Sequence, residues 1–439
     1  MTTAVEPRTN SPTTRRRALI ASLIGSSIEW FDFFLYGTAA ALVFNKLFFP
    51  SSDPVVALLL SYLSFSLTFF IRPFGGFFFA HIGDRIGRKK TLVMTLALMG
   101  GATVAIGLLP TYQQIGVAAP ILLVLLRIIQ GLGIGGEWGG ALLLAYEYAP
   151  RTRKGLFGSV PQVGVTVGML LATLFLSLMA KLPEAEFLAW GWRVPFVASI
   201  VLVILGLWIR RGIDETPAFL KAKETGNIAK QPLVETVRHH WRESLIACGL
   251  KVVETAPFYI FSTFVVSYAT NQLQYTKVDV LNAVSLAALV ACVMIPVMGW
   301  LSDIIGRRRT YTAGVLLMAA FIVPYFKLLD THSVTLLTLA TVLAMGVIWA
   351  PITATLGTLC SEIFHTRVRY TGITLGYQIG AALAGGTAPL IATWLIAKYN
   401  GNWMPIAIYI LILAAISLVA VLSVRNRIAN VAAADLEIT

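Results

Sequence analysis

The chain has 439 residues and a net charge of +13; 57% of its residues are apolar and only 13% are Asp, Glu, Lys or Arg. Soluble domains carry about 25% charged residues, so a soluble fold of this size would have too little polar surface to cover its outside. The basic residues cluster in short loops between long apolar runs, not along one polar domain, which argues against nucleic-acid binding and favours a membrane protein.

Twelve apolar runs are long enough to cross a bilayer core, which needs about 20 residues per helix. The predicted spans, in chain order, are 18–45, 55–80, 91–109, 118–148, 156–181, 193–211, 244–272, 279–301, 310–329, 334–361, 370–398 and 403–424. A polar segment, 212–243, divides them into two sets of six. We predict an all-α membrane protein of 12 transmembrane helices with an N-terminal tail 1–17, a bundle 18–211, a linker 212–243, a second bundle 244–424 and a tail 425–439.

Most lysines and arginines lie in the two termini and in the loops that follow even-numbered spans. Because positively charged loops stay on the cytoplasmic side, we expect a multi-pass inner-membrane protein with both termini and the linker in the cytoplasm. Residues 1–17 are polar and basic and lead directly into the first span without a small-residue cleavage site, so a cleaved signal peptide is not expected.

A short basic turn occurs once in each half, as Asp-Arg-Ile-Gly-Arg at residues 84–88 after span 2 and as Asp-Ile-Ile-Gly-Arg at 303–307 after span 8. The glycine permits the positive φ of a sharp reversal, and the aspartate can accept hydrogen bonds from a helix N-terminus or pair with an arginine. Further markers repeat at nearly the same offset: a glutamate precedes the basic loops after spans 4 and 10, and spans 5 and 11 carry Gln-x-Gly. Such duplication into two pseudo-symmetric halves is common in secondary transporters. The predicted cytoplasmic gate residues are Asp84, Arg88, Glu147, Asp303, Arg307 and Glu362.

Several strings resemble the major facilitator superfamily and, within it, the metabolite:proton symporters: the two basic turns and residues 29–37, 72–76, 127–140, 190–196 and 214–217. The resemblance spans nearly the whole chain and implies the major facilitator fold. It also implies proton-coupled import of a small organic acid such as shikimate, α-ketoglutarate or citrate, with the shikimate-type members most similar. Osmolyte (proline or betaine) symporters, facilitators and antiporters of the same fold remain alternatives. Ile304 stands where the family has a basic residue, so replacing Asp84 is expected to impair transport more than replacing Asp303.

Ionisable residues inside the spans need a reason, because each costs at least about 2.5–3.5 kcal/mol at the bilayer centre. Glu29, Asp32 and Tyr36 share one face of span 1, and Arg127 and Glu137 share one face of span 4. Pairing with an arginine favours an ionised carboxylate, and loss of that partner favours proton uptake. We predict Asp32 as the proton carrier, Arg127 as its partner and Glu137 as a second titrating or substrate-facing group, with Glu29 in the same set. The resemblance implies the same, since proton-linked sugar porters place an Asp and an Arg at these positions. The alternative is a set of internal ion pairs that fix helix packing.

Cations, amides and aromatic residues of several spans form the predicted substrate site. Arg72 is a candidate anchor for a carboxylate or, alternatively, a snorkelling arginine that supports the turn. Lys251 and Glu254 are i, i+3 in span 7 and can pair, as part of the site or of the packing. The two span glutamines can bond substrate oxygens, and aromatics can frame the cavity. The full set is Arg72, Tyr36, Trp138, Gln162, Lys251, Glu254, Tyr259, Tyr377 and Gln378.

Other function classes lack their sequence features. No Gly-Lys-Ser/Thr phosphate loop occurs, which argues against an ATP-driven pump, and the five histidines lack metal-ligand spacing, which argues against a membrane enzyme. The linker and short tails leave no output domain for a sensor. We expect no cofactor, with the proton gradient as energy source. The expected partners are the substrate, protons and the lipid bilayer but no nucleic acid, and the protein is expected to be a monomer.

Overall fold

The computed structural model describes residues 12–86, 88–135, 149–211, 238, 240–364 and 369–437, and no strand occurs among them. The first half contains α1 (Pro12–Ala39), α2 (Pro54–Ile86), α3 (Arg88–Leu108), α4 (Ala118–Ile134), α5 (Lys154–Met179) and α6 (Arg193–Arg211). The second half contains α7 (Trp241–Tyr259), α8 (Lys277–Ile305), α9 (Arg307–Leu329), α10 (Val334–Thr341, resuming at Ala350–Ile363), α11 (Arg369–Gly380, resuming at Ala388–Lys398) and α12 (Met404–Glu437).

Each predicted span holds a helix. Ten helical segments in the described part of the chain are long and apolar enough to cross a membrane, and the shorter apolar helices Val93–Leu108 and Ala118–Ile134 occupy the places of spans 3 and 4. Large apolar side chains, among them Phe74, Val201 and Val419, are exposed on the outside of the bundle. In a bilayer these side chains contact lipid tails, which are apolar, so their exposure carries no cost there. The all-helical, multi-span prediction is therefore confirmed.

The ends of the first and last helices differ from the predicted spans. Backbone helix begins at Pro12, inside the predicted N-terminal tail, and α12 continues to Glu437 through most of the predicted C-terminal tail. The end of an apolar run marks where the chain leaves the membrane. The helix itself can continue beyond that point when no helix-breaking residue follows. The segment 425–437 has no glycine or proline and includes Ala432, Ala433 and Ala434, which are strong helix formers.

Four of the long helices contain or continue into a π-helical turn, at Ala40–Phe44 after α1, Ile260–Phe264 after α7, Val342–Ile348 within α10 and Ala381–Gly386 within α11. Each turn replaces the regular i to i−4 bonds over a few residues, and such turns occur frequently at functional sites. The helices α7, α10 and α11 also supply side chains to the central pocket described below.

The two halves meet along two matched pairs of helices, α5 with α8 and α2 with α11. Glycines allow the α5–α8 pair to approach closely: a Cβ on Gly299 would lie 2.6 Å from the Ser159 hydroxyl, and one on Gly155 would lie 2.6 Å from the Gly299 carbonyl oxygen. Within the first half, a Cβ on Gly76 would lie 2.8 Å from the carbonyl oxygen of Gly135, the residue that follows α4. Small residues therefore set the helix spacing, as is usual in membrane bundles.

Candidate functional site

A carboxylate lies unpartnered in the core of the first half. Asp32, in α1, is 1% exposed, and neither of its side-chain oxygens has a hydrogen-bond partner among the described residues. The Thr103 hydroxyl of α3 faces it, but that hydroxyl donates its proton to the carbonyl of Met99 and accepts a hydrogen bond from Gln130. An ionised carboxylate in this position is costly because no hydrogen bond replaces those it makes with water.

The predicted ion pair between Asp32 and Arg127 does not form in this structure. Arg127, in α4, is fully buried and donates to the Gln130 side chain (2.9 Å) and to the Phe65 carbonyl (3.4 Å). Its guanidinium lies 3.9 Å from the centre of the Tyr36 ring. The Tyr36 ring and the Gln130 amide take the place predicted for the carboxylate, while Arg127 Nε has no hydrogen-bond partner among the described residues. Asp32 and Arg127 still interact electrostatically across the cluster.

The other predicted proton-coupling residues divide between described and undescribed parts of the chain. Glu29 is buried one turn before Asp32 and interacts with it electrostatically. Glu137 lies outside the described residues, as does the predicted substrate residue Trp138. Tyr36 belongs to the cluster around Arg127, where its hydroxyl is 2.7 Å from Ser64 Oγ, and not to the central pocket.

A narrow central pocket lies between the two halves. Its wall from the first half contains Trp30, Phe69, Arg72, Gln162 and Val165, and its wall from the second half contains Lys251, Glu254, Thr255, Phe258, Tyr259, Trp349, Tyr377 and Ala381. Six of the nine predicted substrate-binding residues are therefore in one place: Arg72, Gln162, Lys251, Glu254, Tyr259 and Tyr377. Gln378 is buried next to Tyr377 in α11, and its Oε1 has no partner among the described residues, but it does not line the pocket.

Arg72 is a core residue of the pocket. It is 3% exposed, and its guanidinium lies 4.6 Å from the Phe33 ring centre, 4.8 Å from Phe69 and 5.5 Å from Trp30. A snorkelling arginine would carry its charge to the surface, so the burial of Arg72 excludes that alternative. Its Nε has no hydrogen-bond partner among the described residues.

The predicted Lys251–Glu254 pair is confirmed, and it is the centre of a larger network. The Lys251 ammonium donates to Glu254 Oε2 and lies 3.8 Å from the Tyr377 ring centre. The Thr353 hydroxyl of α10 donates to Glu254 Oε1 at 3.1 Å, and the Thr255 hydroxyl is 2.7 Å from Oε2. A buried ion pair contributes little net stability even when its hydrogen bonds are satisfied, because both charges lose their hydration.

Sequence reasoning missed Trp30, Thr353 and Trp349 at this site. Trp30 lies between the predicted residues Glu29 and Asp32 and faces the pocket because the helix turns about 100° per residue. Trp349 donates from Nε1 to the Glu254 carbonyl (2.6 Å) and stacks on Phe258 with ring centres 4.4 Å apart. Nothing in the pattern of α10 distinguishes Trp349 or Thr353 from packing residues.

At the end of the bundle that carries the basic turns, Asp303 joins the two halves. Its carboxylate accepts hydrogen bonds from the backbone N–H groups of Gly155 (2.8 Å) and Leu156 (3.0 Å), in the first turn of α5. Arg307 pairs with Asp303 (3.2 Å) and with Glu362 (3.1 Å). Gly306 has φ +97° between α8 and α9, as the turn requires. This arrangement agrees with the predicted use of the aspartate at a helix N-terminus.

The matching turn in the first half is only partly described. Backbone helix is present on both sides of position 87, but the side chains of Asp84 and Arg88 lie outside the described residues, and Glu147 lies outside them entirely. The predicted ranking of the two gates therefore stays a prediction. No group of three or more His, Cys, Asp or Glu side chains that could hold a metal occurs in the described part of the chain.

The opposite end of the bundle, predicted to be periplasmic, carries an ion cluster that the sequence did not suggest. Glu184, in the turn before α6, pairs with Lys46 of the first half (2.9 Å) and with Lys277 at the start of α8 in the second half. Elsewhere between the halves, the Tyr62 hydroxyl of α2 is 2.8 Å from Ser267 Oγ, and Phe69 packs against Gly386 in the π-helical turn within α11. Contacts between the two halves therefore occur at both ends of the bundle among the described residues.

Replacing Glu184 by glutamine is expected to loosen this end of the bundle by a small amount. The Glu184 side chain is 54% exposed, and exposed ion pairs contribute about 0.2–1 kcal/mol, so amide hydrogen exchange at the starts of α6 and α8 should rise about twofold. Glu186→Gln is the matched control because Glu186 is exposed and has no ion pair among the described residues. An equal rise in both variants, or none in Glu184→Gln, would contradict a role for the cluster in closure.

Comparisons with known proteins agree with this architecture. The chain matches the model of a family described as Major Facilitator Superfamily over residues 22–385 and again over 255–436. It is 39% identical to the shikimate transporter of Escherichia coli (strain K12) over 414 residues, covering 94% of each chain. It is 40% identical to the inner membrane metabolite transport protein YhjE of the same organism, covering 93% of each. It is 35% identical to the glycine betaine/proline/ectoine/pipecolic acid transporter OusA of Dickeya dadantii (strain 3937), covering 94% of this chain and 83% of that one.

Solved structures extend the agreement to the fold. A crystal structure of a D-xylose-proton symporter superposes with a TM-score of 0.69 at 18% identity, covering 94% of this chain and 97% of that one. A partially occluded, inward-open structure of the xylose transporter XylE from E. coli superposes with a TM-score of 0.71 at 18% identity, covering 93% and 97%. At this level of identity the superpositions show a shared fold, and they confirm the predicted fold class.

Proposed function

The chain belongs to the Major Facilitator Superfamily, and we propose that it is a proton-coupled symporter that imports a small organic acid across the inner membrane by alternating access. Its relatives are transporters of metabolites and osmolytes, so the chain is a membrane transporter of that type. The coupling ion, the direction and the acid are our proposal. We further propose cytoplasmic termini, a monomer, and no cofactor beyond the proton gradient.

The unpartnered Asp32 is the observation that carries the proposal. Its buried carboxyl group has no hydrogen-bond partner among the described residues, and Arg127, the cation that acts on it electrostatically, is bound elsewhere. A carboxyl group in such a place gains by taking up a proton. When helix movement brings Arg127 closer, or admits water, the ionised form becomes favourable and the proton leaves. Alternation between these two environments supplies the proton step.

The substrate step belongs to the central pocket. Three donors on the wall from the first half have no acceptor among the described residues: Trp30 Nε1, Arg72 Nε and Gln162 Nε2. A buried donor without an acceptor costs about 1–3 kcal/mol, so an acceptor-rich ligand recovers that cost on binding. A carboxylate next to Arg72 provides both the acceptors and the charge.

The two ends of the bundle supply the alternation. Asp303 holds α5 to α8 at the end with the basic turns, while Glu184, Lys46 and Lys277 join the halves at the other end. Import requires these contacts to break in turn, because substrate passes only when one end is open. We propose that Asp84, Arg88 and Glu147 perform the corresponding task between α2 and α11.

Osmolyte symport is the second candidate. OusA, which is similar to this chain, is named as a glycine betaine/proline/ectoine/pipecolic acid transporter. The pocket also combines aromatic rings with the Glu254 carboxylate, and such groups recognise an ammonium ion. The orphan donors around Arg72 suit the carboxylate of either ligand class. In a betaine or proline symporter, Glu254 would have to bind the ammonium group of the substrate. Because Lys251 already neutralises Glu254, the pocket favours an organic acid.

Flux through reconstituted protein tests the proposal. Liposomes with the purified protein and an inward proton gradient of one pH unit should accumulate a radiolabelled acid such as shikimate up to about tenfold, since one pH unit equals 1.36 kcal/mol. A protonophore should reduce accumulation to equilibration without stopping the flux. Equal accumulation with and without the protonophore would overturn proton coupling, and proton-driven accumulation of betaine but not of any acid would favour the osmolyte symporter.

A further inference from the structure

The charges in the central pocket are distributed unequally between its two walls. The wall from the first half presents the cation Arg72 with the donors of Trp30 and Gln162, and no described carboxylate lines it. The wall from the second half presents a cation and an anion, Lys251 and Glu254, that are already bonded to each other. One end of the pocket is therefore electropositive and the other nearly neutral.

The bonded pair is held closed by its neighbours. Glu254 accepts hydrogen bonds from Lys251 and from Thr353 of a different helix, with the Thr255 hydroxyl also against its carboxylate. Lys251 is further occupied by the face of Tyr377, 3.8 Å from the ring centre. A second anion arriving at this wall would have to displace the Glu254 carboxylate from a site with several donors, and it would meet that carboxylate's charge at close range. Like charges at such distances repel each other in a protein interior, and Lys251 cannot bind both carboxylates at full strength.

Neutral groups meet a different surface there. The carboxylate of Glu254 can accept a hydrogen bond from a hydroxyl, and the side chains of Phe258 and Trp349, whose rings stack with centres 4.4 Å apart, give an apolar wall beside it. Aromatic side chains of this kind pack well against the carbon atoms of a small ring. The wall from the second half thus suits the uncharged, hydroxylated or cyclic part of a ligand.

We infer that Glu254 is the specificity-determining residue for the number of carboxylates, and that the pocket takes hydroxylated cyclic monocarboxylic acids and rejects di- and tricarboxylates. The inference rests on the proposed function and narrows its substrate class. The ligand carboxylate binds Arg72, Trp30 and Gln162, and the rest of the ligand lies against Glu254 and the stacked rings. Lys251 is the latent second anion site, which Glu254 occupies as an internal carboxylate. Glu29 lies close enough to act electrostatically on Tyr377 but does not line the pocket.

Binding to the purified full-length protein, measured by calorimetry without any proton gradient, tests this. The panel is shikimate and 3-hydroxybenzoate as monocarboxylates, succinate and citrate as multiple acids, and glycine betaine as a zwitterion. In wild-type protein a hydroxylated monocarboxylate should bind about tenfold or more tighter than succinate or citrate. Glu254→Gln keeps the shape and releases Lys251, so succinate should bind about tenfold tighter while the monocarboxylate changes by less than about threefold.

Two further variants separate charge from structure. Adding Lys251→Gln to Glu254→Gln should remove the gain for succinate. Thr355→Val should leave the order of ligands unchanged, because the Thr355 hydroxyl bonds the Pro351 carbonyl (2.7 Å) and does not line the pocket. Tighter binding of succinate or citrate than of the monocarboxylates by wild-type protein would overturn the inference while leaving proton-coupled acid transport in place. This comparison needs only wild-type protein, so it tests the inference even if Glu254→Gln does not fold. A folded Glu254→Gln variant with unchanged succinate affinity would also overturn it. Binding of betaine alone, lost in Glu254→Gln, would overturn both the inference and the acid substrate.

Discussion

Replacing Asp32 by asparagine is expected to abolish proton-driven accumulation while leaving the exchange of preloaded substrate intact. Asparagine has nearly the shape of a protonated aspartate and cannot release a proton, so the carrier is held in one form of the cycle. In liposomes with a gradient of one pH unit, accumulation should fall from about tenfold to equilibration, whereas exchange, which needs no net proton movement, should continue. The measurement is uptake of labelled substrate into empty and into preloaded liposomes.

The matched control for this prediction is Asp53→Asn. Asp53 undergoes the same chemical change in the same half of the protein, but it is exposed and only caps the first turn of α2 through its bond to the Val55 N–H (2.8 Å). Accumulation by this variant should resemble that of wild-type protein. Intact accumulation in Asp32→Asn would remove Asp32 from the proton path, and loss of exchange together with accumulation would point instead to a structural role for the carboxyl group.

Replacing Asp303 by asparagine should weaken the contact between α5 and α8 and leave the end with the basic turns open for more of the time. The carboxylate bonds two N–H groups at the start of α5 and pairs with Arg307. Hydrogen bonds to a charged group contribute about 1.5–3 kcal/mol, so the equilibrium between closed and open should shift about tenfold or more towards open. Transport should fall because outward-facing protein becomes scarce.

Labelling of a cysteine at position 159 measures this opening. Ser159 is fully buried against Gly299 at the α5–α8 contact. A maleimide should therefore react with Ser159→Cys several times faster when Asp303→Asn is also present. Labelling of the native cysteines, measured in protein that keeps Ser159, is subtracted. Asp279→Asn, at the other end of the same helix, is the control and should not change the rate. Equal labelling of the two double variants would contradict a closing role for Asp303.

The ranking of the two gates is tested in the same assay series. Because Ile304 replaces the basic residue expected after Asp303, Asp84→Asn should reduce transport more than Asp303→Asn does. The extensive hydrogen bonding of Asp303 makes this a demanding comparison, since its network reaches α5, Arg307 and, through Arg307, Glu362. Equal losses in the two variants would contradict the ranking.

Most of the fold could be predicted from the sequence because a bilayer makes apolarity a direct measure of span position. The turn at Gly306 and the pairing of Lys251 with Glu254 were also predictable, since both depend on residues close together in the chain. The ends of α1 and α12 were not, because helix continues past the apolar region until a breaker occurs. The π-helical turns in α10 and α11 carry no sequence signal comparable to a glycine in a tight turn.

The candidate site was predictable as a set of residue types, but its partnerships were not. Asp32 and Arg127 were expected to pair, yet Arg127 instead contacts Tyr36 and Gln130, because the packing of α1, α2 and α4 decides which neighbour is nearest. Arg72 was equally consistent with a surface role until its burial among aromatic rings was known. Cross-helix contacts of this kind depend on the rotation of each helix about its axis, which a span prediction leaves open.

Residues that connect the two halves were the hardest to anticipate. Glu184 pairs with one lysine from each half at the predicted periplasmic end. At the other end the Gly155 N–H donates a hydrogen bond to Asp303. Each is an ordinary polar or small residue in its own segment, and its role arises only from the docking of distant parts of the chain. Together these contacts and the central pocket form the structure on which the transport proposal rests.

The most direct test of proton-coupled transport is the movement of protons that accompanies substrate entry. Lightly buffered liposomes containing the wild-type protein should show alkalinisation of the external medium when the transported acid is added without any imposed pH gradient, and the signal should vanish with a protonophore. Asp32→Asn protein should bind the acid but give no pH change. Substrate entry into wild-type liposomes with no accompanying proton movement would contradict the account.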